Sequence, residues 1–85
     1  MMIMVQLRYR GGLASITGKK TEEINASSVA EVMSYIEDQY GKTAMKQAKR
    51  MLITVGGTNI QLLNRFKTSL SDGDIVSFLP LAAGG

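Results

Sequence analysis

The chain has 85 residues, a formal net charge of +3 and neither cysteine nor histidine. At this length it forms one domain that buries only about 60–65% of the surface of its unfolded chain, which disfavours an enzyme with a large pocket. Without cysteine or histidine it has no disulfide framework, no Cys/His metal site and no thiol that could carry a persulfide. We therefore expect a small non-enzymatic domain that binds no metal and no cofactor.

The first segment alternates in hydropathy from Met2 to Arg10, with apolar Ile3, Val5, Leu7 and Tyr9 on one side. A period of two predicts a half-buried strand. Gly11-Gly12 predicts a turn, and residues 13–16 are expected to form a loop. The apolar start is too short for a signal peptide or a membrane span, so we expect a cytoplasmic protein without a membrane partner.

Residues 20–26 predict a second strand, paired with the first and polar enough for a sheet edge. The preceding segment, residues 17–20, superficially resembles a phosphate loop. It fails that template because five residues separate Gly12 from Gly18, where four are needed, and Lys20 replaces the Ser/Thr that would hold magnesium. We therefore expect no nucleotide site here.

Ser28 predicts the start of the first helix, because Glu31 three residues later completes a capping box by reaching back to the Ser28 N–H. Gly41 predicts a left-handed stop. Between them the apolar residues recur at helical spacing and predict one core-facing stripe: Val29, Val32, Met33, Ile36 and Tyr40.

Residues 42–50 predict a second helical segment, with Ala44, Met45 and Ala48 inward. Its outer face is basic, and no aromatic residues interleave the cations, so a nucleic-acid interface is disfavoured. A solvated face near a helix C-terminus is the preferred interpretation, and docking to an acidic enzyme partner is the second. The cations are Lys42, Lys46, Lys49 and Arg50.

The second half predicts three more strands, over residues 51–55, 59–63 and 75–79. Gly56-Gly57 predicts a turn, and residues 64–70 are expected to be irregular, with Phe66 packed inward. Asp72-Gly73 predicts a tight turn in which Gly73 takes a positive φ. Pro80 ends the last strand, because it offers no N–H to the sheet.

Beyond Pro80 the residues carry neither bulk nor charge, so we divide the chain into a domain over residues 1–80 and an extended tail over residues 81–85. An extended tail of this length reaches roughly 15 Å from the body. Gly84 and Gly85 lack a Cβ, which would let the backbone pass through a slot in another protein too narrow for any side chain. The only reactive group in the tail is the terminal carboxylate, which requires activation by a partner enzyme before it enters acyl chemistry.

The motifs of the second half occur in a specific combination and spacing: Val55-Gly56-Gly57-Thr58-Asn59-Ile60, Asp72-Gly73-Asp74-Ile75-Val76, Phe78-Leu79-Pro80 and Gly84-Gly85. In these motifs the chain resembles the MoaD/ThiS family of ubiquitin-like sulfur carriers, especially the MoaD-like branch that includes the archaeal small modifiers. It departs from the family at Leu81, where a second proline is usual, at Ile75, where an acidic residue is common, and at Gly56, where asparagine is common. These departures bear on the choice of partner.

The resemblance implies an α+β fold of the β-grasp, ubiquitin-like type, in which a mixed sheet packs on one main helix with a second short helix beside it. It also implies that an adenylyltransferase of the MoeB/ThiF type uses ATP to adenylate Gly85, and that a sulfur donor enzyme then forms a thiocarboxylate. A MoaE-like large subunit of molybdopterin synthase would use that sulfur to build molybdopterin. The carrier contributes no catalytic residue of its own.

In a β-grasp the first and last strands are neighbours, which predicts a partner-binding face on the side of the sheet away from the helix. Met4, Ile75 and Leu79 are expected to form an apolar patch there, next to Arg8. The tail residues Leu81, Ala82 and Ala83 would complete the partner-binding surface and allow Gly84-Gly85 to thread into the partner.

Three alternatives remain open. The first is a ubiquitin-like modifier that is joined through Gly85 to lysines of target proteins. The second is a sulfur donor for thiamin synthesis or tRNA thiolation. The third is a small basic domain that binds RNA or DNA, which leaves the tail unexplained.

Overall fold

Five strands form one mixed sheet in the computed structural model, which describes residues 2–81. The sheet order is β2-β1-β5-β3-β4; β1 and β5 run parallel, and the other neighbouring pairs are antiparallel. This is the predicted α+β class and the strand arrangement of a β-grasp. The strands are β1 Met4–Tyr9, β2 Thr21–Asn25, β3 Leu52–Val55, β4 Thr58–Asn59 and β5 Ile75–Leu79.

Three helices accompany the sheet: α1 Gly11–Thr17, α2 Val29–Tyr40 and α3 Lys42–Lys49. Two single 3₁₀ turns, Ile60–Leu62 and Arg65–Lys67, lie between β4 and β5. Within residues 2–81, no helix combines the length and the apolar character needed to cross a bilayer. The second strand predicted from the sequence is β2, which lies at a sheet edge as expected, and the predicted second helical segment is α3.

The core lies between one face of the sheet and the helices. The predicted stripe on α2 is confirmed at Val29, Val32, Met33 and Ile36, which are buried, while Tyr40 is half-buried. From the sheet, alternate residues of β1 and β5 enter the same core. They are Val5, Leu7, Tyr9, Val76 and Phe78. The period of two therefore identified the inward side of β1 correctly.

The start of α2 differs in one detail from the predicted capping box. The Ser28 Oγ accepts from the Glu31 N–H at 3.2 Å, as expected. The Glu31 carboxylate, however, accepts from the Ser27 N–H at 2.8 Å and from the Ser27 Oγ at 2.9 Å, and not from the Ser28 N–H. Ser27 offers two donors to the two carboxylate oxygens, so it is the better partner for Glu31.

The end of α2 also differs from the prediction. Gly41 has a positive φ of 94°, but its ψ of 175° lies outside the left-handed helical region. The helix does stop here, with the Gly41 N–H donating to the Glu37 carbonyl at 2.8 Å. Because α3 begins at the next residue, Gly41 redirects the chain from one helix into another, a conformation open to glycine.

The loop predicted over residues 13–16 is wrong, because this segment belongs to α1. Leu13 and Thr17, four residues apart, are both buried, and the helix packs against α3. Gly18 ends it in the left-handed conformation, at φ 72° and ψ 14°. The helix has only two turns, so its apolar stripe is too short to show a helical period. It also begins with two glycines, which indicate a turn.

The strand predicted over residues 59–63 is also mostly wrong, since β4 ends at Asn59. The Asn59 Oδ1 accepts from the Gln61 N–H at 2.8 Å and turns the chain out of the sheet into the first 3₁₀ turn. Phe66 does not pack inward as predicted but is 37% exposed. Ile60 and Leu70 enter the core instead.

The turn before β5 is as predicted, with Gly73 at φ 89°. The Gly73 N–H donates to the Met4 carbonyl at 2.8 Å, and the Asp72 Oδ1 accepts from the Met4 N–H at 2.9 Å. These two bonds attach the turn to the start of β1. They set the parallel register in which Gln6 lies opposite Ile75.

Candidate functional site

The root of the tail lies at the edge of the sheet where both central strands end. Because β1 and β5 are parallel, Tyr9 lies beside Phe78, and the chain leaves both strands on the same side. Pro80 follows β5 there and contacts the start of α1: a Cβ added to Gly11 would lie 3.2 Å from the Pro80 Cγ. Gly11, at φ 56°, therefore needs both its backbone freedom and its small size.

A basic cavity of about 740 Å³ opens beside Pro80. Its lining includes three cations: Arg8 in β1, Arg10 immediately before α1, and Lys20 immediately before β2. Arg8 had been predicted as a site residue, whereas Arg10 and Lys20 had not. The cavity is lined by Gln6, Arg8, Tyr9, Arg10, Gly11, Ala14, Lys20, Thr21 and Pro80. No carboxylate belongs to that set.

An apolar groove of about 490 Å³ lies where Leu81 leaves the body. Leu81 lines it together with Phe66 and Leu52, and Leu81 itself remains 58% exposed. Phe66, which was predicted to pack inward, lines this groove instead. Arg50 also lines the groove, so the second cavity near the tail is apolar with a basic margin.

The predicted partner-binding face is on the side of the sheet away from the core. Met4, Ile75 and Leu79 all lie on that side, each half-buried, and Arg8 lies on the same side and is exposed. Ser77 separates Ile75 from Leu79 along β5. The register places Leu52 directly opposite Leu79, so Leu79 has an apolar neighbour that sequence reasoning missed.

A cluster of side chains around one carboxylate, here called the carboxylate cluster, joins the edge strand β2 to β1 and α2. The Glu22 Oε1 accepts from the Tyr9 hydroxyl at 2.8 Å and from the Tyr40 hydroxyl at 2.9 Å. The Glu22 Oε2 accepts from the Tyr35 hydroxyl and pairs with the Lys19 Nζ at 3.1 Å. Four donors from β1, α2 and the preceding turn thus converge on one side chain, next to the cavity wall formed by residues 20 and 21.

The shared hydrogen bonds shift the pKa values of this cluster. Burial by itself would raise the pKa of Glu22, but the bonds from Tyr35, Tyr9, Tyr40 and Lys19 outweigh it and lower that pKa. Burial, followed by the bond to Glu22, raises the pKa of each of the three tyrosines. Near neutral pH the cluster is therefore an ionised carboxylate held by neutral phenols.

Residues 82–85 lie outside the described part of the chain. The predicted reactive terminus, Gly84-Gly85, and the predicted partner-binding residues Ala82 and Ala83 fall there. The described residues bring the remaining predicted site residues to three places. Arg8 lies in the basic cavity and Leu81 in the apolar groove, while Met4, Ile75 and Leu79 lie on the sheet face.

Arg10, Lys20 and Leu52 are the residues that sequence reasoning missed at this site. Each lies at or beside the end of a strand, and local periodicity does not show which strands pair or which strand ends lie next to each other. Arg10 and Lys20 meet only because β1 and β2 are antiparallel neighbours, with Arg8 opposite Thr21. A signal was available in hindsight: cations flank the two ends of α1, and acids are absent from the intervening segment.

The fold is shared with several solved structures. A search of the curated proteins found no significant match. The chain is similar to the small archaeal modifier protein 1 from Methanosarcina acetivorans, with a TM-score of 0.83 at 23% identity, covering 100% of this chain and 99% of that one. It is similar to a chain of the BexX/CysO complex of Amycolatopsis orientalis, with a TM-score of 0.80 at 20% identity and coverage of 95% and 99%.

A third similarity is to a chain from the complex of subunits 1 and 2 of the molybdopterin-converting factor from Helicobacter pylori 26695. The TM-score is 0.71 at 23% identity, with 98% of this chain and 100% of that chain covered. At these identities the structures establish the β-grasp fold. The family follows from the sequence itself, because the model of the ThiS family matches residues 7–85. This chain therefore belongs to the ThiS family of ubiquitin-like sulfur carriers, as its motifs predict.

Proposed function

We propose that this protein carries sulfur on the carboxyl group of Gly85 and delivers it to molybdopterin synthesis as the small subunit of a molybdopterin synthase. The observation that carries the proposal is the ThiS match, which runs to residue 85 and so includes Gly84-Gly85. The absence of cysteine from the sequence supports it further, because the chain has no thiol of its own to hold the sulfur.

The chemistry proceeds in two steps outside the carrier's own fold. An adenylyltransferase of the MoeB/ThiF type joins the Gly85 carboxylate to the AMP part of ATP and releases pyrophosphate. A sulfide sulfur supplied by a donor enzyme then attacks the acyl carbon, AMP leaves, and a thiocarboxylate remains. ATP is thus a substrate of the partner, and the carrier supplies no acid, base or cofactor of its own.

The described residues support delivery of the tail into a partner. Pro80 ends the sheet contacts of the last strand, and Leu81 is already 58% exposed. The half-buried apolar residues on the outer sheet face, together with the groove beside Leu81, offer a surface for partners. For the acceptor we favour a MoaE-like large subunit, in keeping with the similarity to a chain from a complex of the two converting-factor subunits.

The test is to incubate the purified chain with its host's adenylating enzyme, ATP and a sulfide donor, and to measure the intact mass. We expect a species in which one oxygen has been exchanged for sulfur, located at Gly85 by fragmentation. Adding the MoaE-like subunit and precursor should return the terminus to a carboxylate and yield molybdopterin. A variant with one alanine added after Gly85 is the control and should remain unmodified.

Two results would contradict the proposal. Charging of the alanine-extended variant would show that the terminal carboxyl of Gly85 is not the reactive group. If the sulfur-loaded carrier supported thiamin synthesis or tRNA thiolation but not molybdopterin formation, sulfur transfer would stand and the proposed acceptor would be wrong.

A second candidate is protein modification, favoured by the similarity to the small archaeal modifier protein 1. In that case the adenylated Gly85 would be joined to lysine amines of target proteins. Digestion of host proteins should then yield lysine-containing peptides that carry the Gly-Gly remnant. The alanine-extended variant should abolish these conjugates.

A further inference from the structure

The basic cavity beside Pro80 has a positive charge that neighbouring acidic side chains do not neutralise. Arg8, Arg10 and Lys20 line it, and all three residues are exposed. Within residues 2–81 the only ion pair joins Lys19 to Glu22, so none of these three cations is paired there. Glu23 lies on the same sheet face, opposite Gln6, yet it forms no ion pair with Arg8.

The hydrogen bonds around the cavity do not neutralise its positive charge. The Arg8 Nε donates to the Gln6 Oε1 at 3.0 Å, a neutral acceptor that orients the guanidinium without neutralising it. Glu22, the nearest acid in sequence to Lys20, is committed to Lys19 and three tyrosines. An anion in the cavity would gain attraction from three cations and relieve their mutual repulsion.

The position of the cavity connects it with the tail. Pro80 forms part of its wall, and the contact between Gly11 and Pro80 fixes the start of α1 against the point where the tail begins. A protein that holds the residues after Pro80 must bring its own surface close to this cavity. Because the cavity is concave, it suits a protruding side chain rather than a flat surface.

We propose that this basic cavity is a docking socket for an aspartate or glutamate side chain on the enzyme that adenylates Gly85. The inference rests on the proposed function and names the chemistry of the partner at one position. Arginine forms two parallel hydrogen bonds with a carboxylate, which gives direction as well as attraction. The three cations are exposed and surround a wide opening. They are therefore better suited to bind an anion that a protein interface holds in place than to bind a free, hydrated ion.

The experiment is ATP–pyrophosphate exchange by the host's adenylating enzyme, measured at increasing concentrations of the full-length carrier. The socket variant combines Arg10→Glu with Lys20→Glu. The control combines Arg65→Glu with Lys67→Glu, which makes the same change in net charge at exposed positions outside both cavity linings and outside the basic face of α3. A third variant, Arg10→Gln with Lys20→Gln, removes the charges without reversing them.

We expect the socket variant to raise the KM for the carrier by about tenfold or more, with kcat little changed, because a like charge is brought against the partner's acid. The Gln variant should raise KM less, and the control should stay within about twofold. Salt should raise the KM of the wild type more steeply than that of the socket variant. Circular dichroism and thermal unfolding verify that all variants are folded.

The contrary outcomes separate the two proposals. If the wild type supports no exchange at all, the proposed function fails and this inference fails with it. If the wild type is active and the socket variants match the control, the socket alone is wrong. Saturable binding of inorganic phosphate, detected as shifts of the Arg10 and Thr21 amide resonances, would assign the cavity to a free anion and also overturn the socket.

Discussion

Glu22 is a single carboxylate that four other side chains share, and it connects β2 to β1 and α2. Its lowered pKa means that it stabilises the fold when ionised. That contribution is present above the ordinary pKa of 4.5 and is lost as the pH falls through the folded-state value. The raised pKa values of Tyr9 and Tyr35 have the opposite pH dependence. The neutral phenols stabilise the fold below their ordinary pKa of 10.0, and this contribution to stability is lost as the pH rises above it.

Replacing Glu22 with Gln should therefore lower the free energy of unfolding at neutral pH by about 1–3 kcal/mol, since charged hydrogen bonds become neutral ones. The variant should also lose less stability than the wild type as the pH falls below the ordinary pKa of 4.5, because only the wild type loses the contribution of an ionised Glu22 there. Urea unfolding at several pH values measures both effects.

The matched control is Glu23→Gln on the neighbouring residue, which is exposed on the outer face. It should change stability by no more than about 0.5 kcal/mol. An equal effect of the two substitutions would show that the tyrosine cluster contributes nothing specific.

At the scale of elements, α1 is a helix that tertiary contacts create. Two turns are too few for a helix to be stable by itself in water, and this one begins with Gly11-Gly12. Leu13 is fully buried, and a Cβ added to Gly12 would lie 3.1 Å from the Gln47 Nε2 of α3. The helix therefore exists because Leu13 enters the core, and Gly12 gives the Gln47 side chain of α3 room beside it.

Leu13→Ala should lower the free energy of unfolding by about 2–5 kcal/mol, because it leaves a cavity in a packed core. Ile16→Ala is the control on the same helix, since Ile16 is 40% exposed, and it should cost less than about 1 kcal/mol. Thermal or denaturant unfolding measures the difference. Equal losses at the two positions would mean that burial of Leu13 is not what stabilises α1.

For the molecule as a whole, the sheet order decides which parts are most stable. β5 comes last in sequence but is the centre of the sheet, between β1 and β3, while β2 and β4 form its edges. Val76 and Phe78 of β5 are fully buried. The most distant parts of the sequence thus form the most protected part of the fold.

This arrangement predicts the pattern of amide hydrogen exchange. The slowest amides should be those of Val76 and Phe78 in the central strand, exchanging only through global unfolding, whereas amides of the edge strands should exchange through smaller openings. The apparent free energy of exchange at the centre should equal the free energy of unfolding from denaturant. Exchange in β2 that is as slow as in β5 would contradict this order.

Much of the fold could be predicted from the sequence because the signals concerned are local. The stripe of α2 has a helical period, β1 and β5 alternate, and Gly73 marks a turn that requires a positive φ. The motif over residues 55–60, the Asp72-Gly73-Asp74 turn, the Pro80 stop and the Gly84-Gly85 end, together with their spacing, also predicted the family, which the match over residues 7–85 confirmed. None of these inferences depends on which distant residues meet.

Only the tertiary structure decided the rest, because the rest depends on register between distant segments. The parallel pairing of β1 and β5 brings Pro80 to Gly11, and the antiparallel pairing of β1 and β2 brings Lys20 to Arg10. Tyr9, Tyr35 and Tyr40 show no common spacing, yet they meet at Glu22. By itself, the sequence determined the periodic elements and the family. Long-range pairing, which no local signal encodes, determined the helix at residue 13, the carboxylate cluster and the basic cavity at the root of the tail.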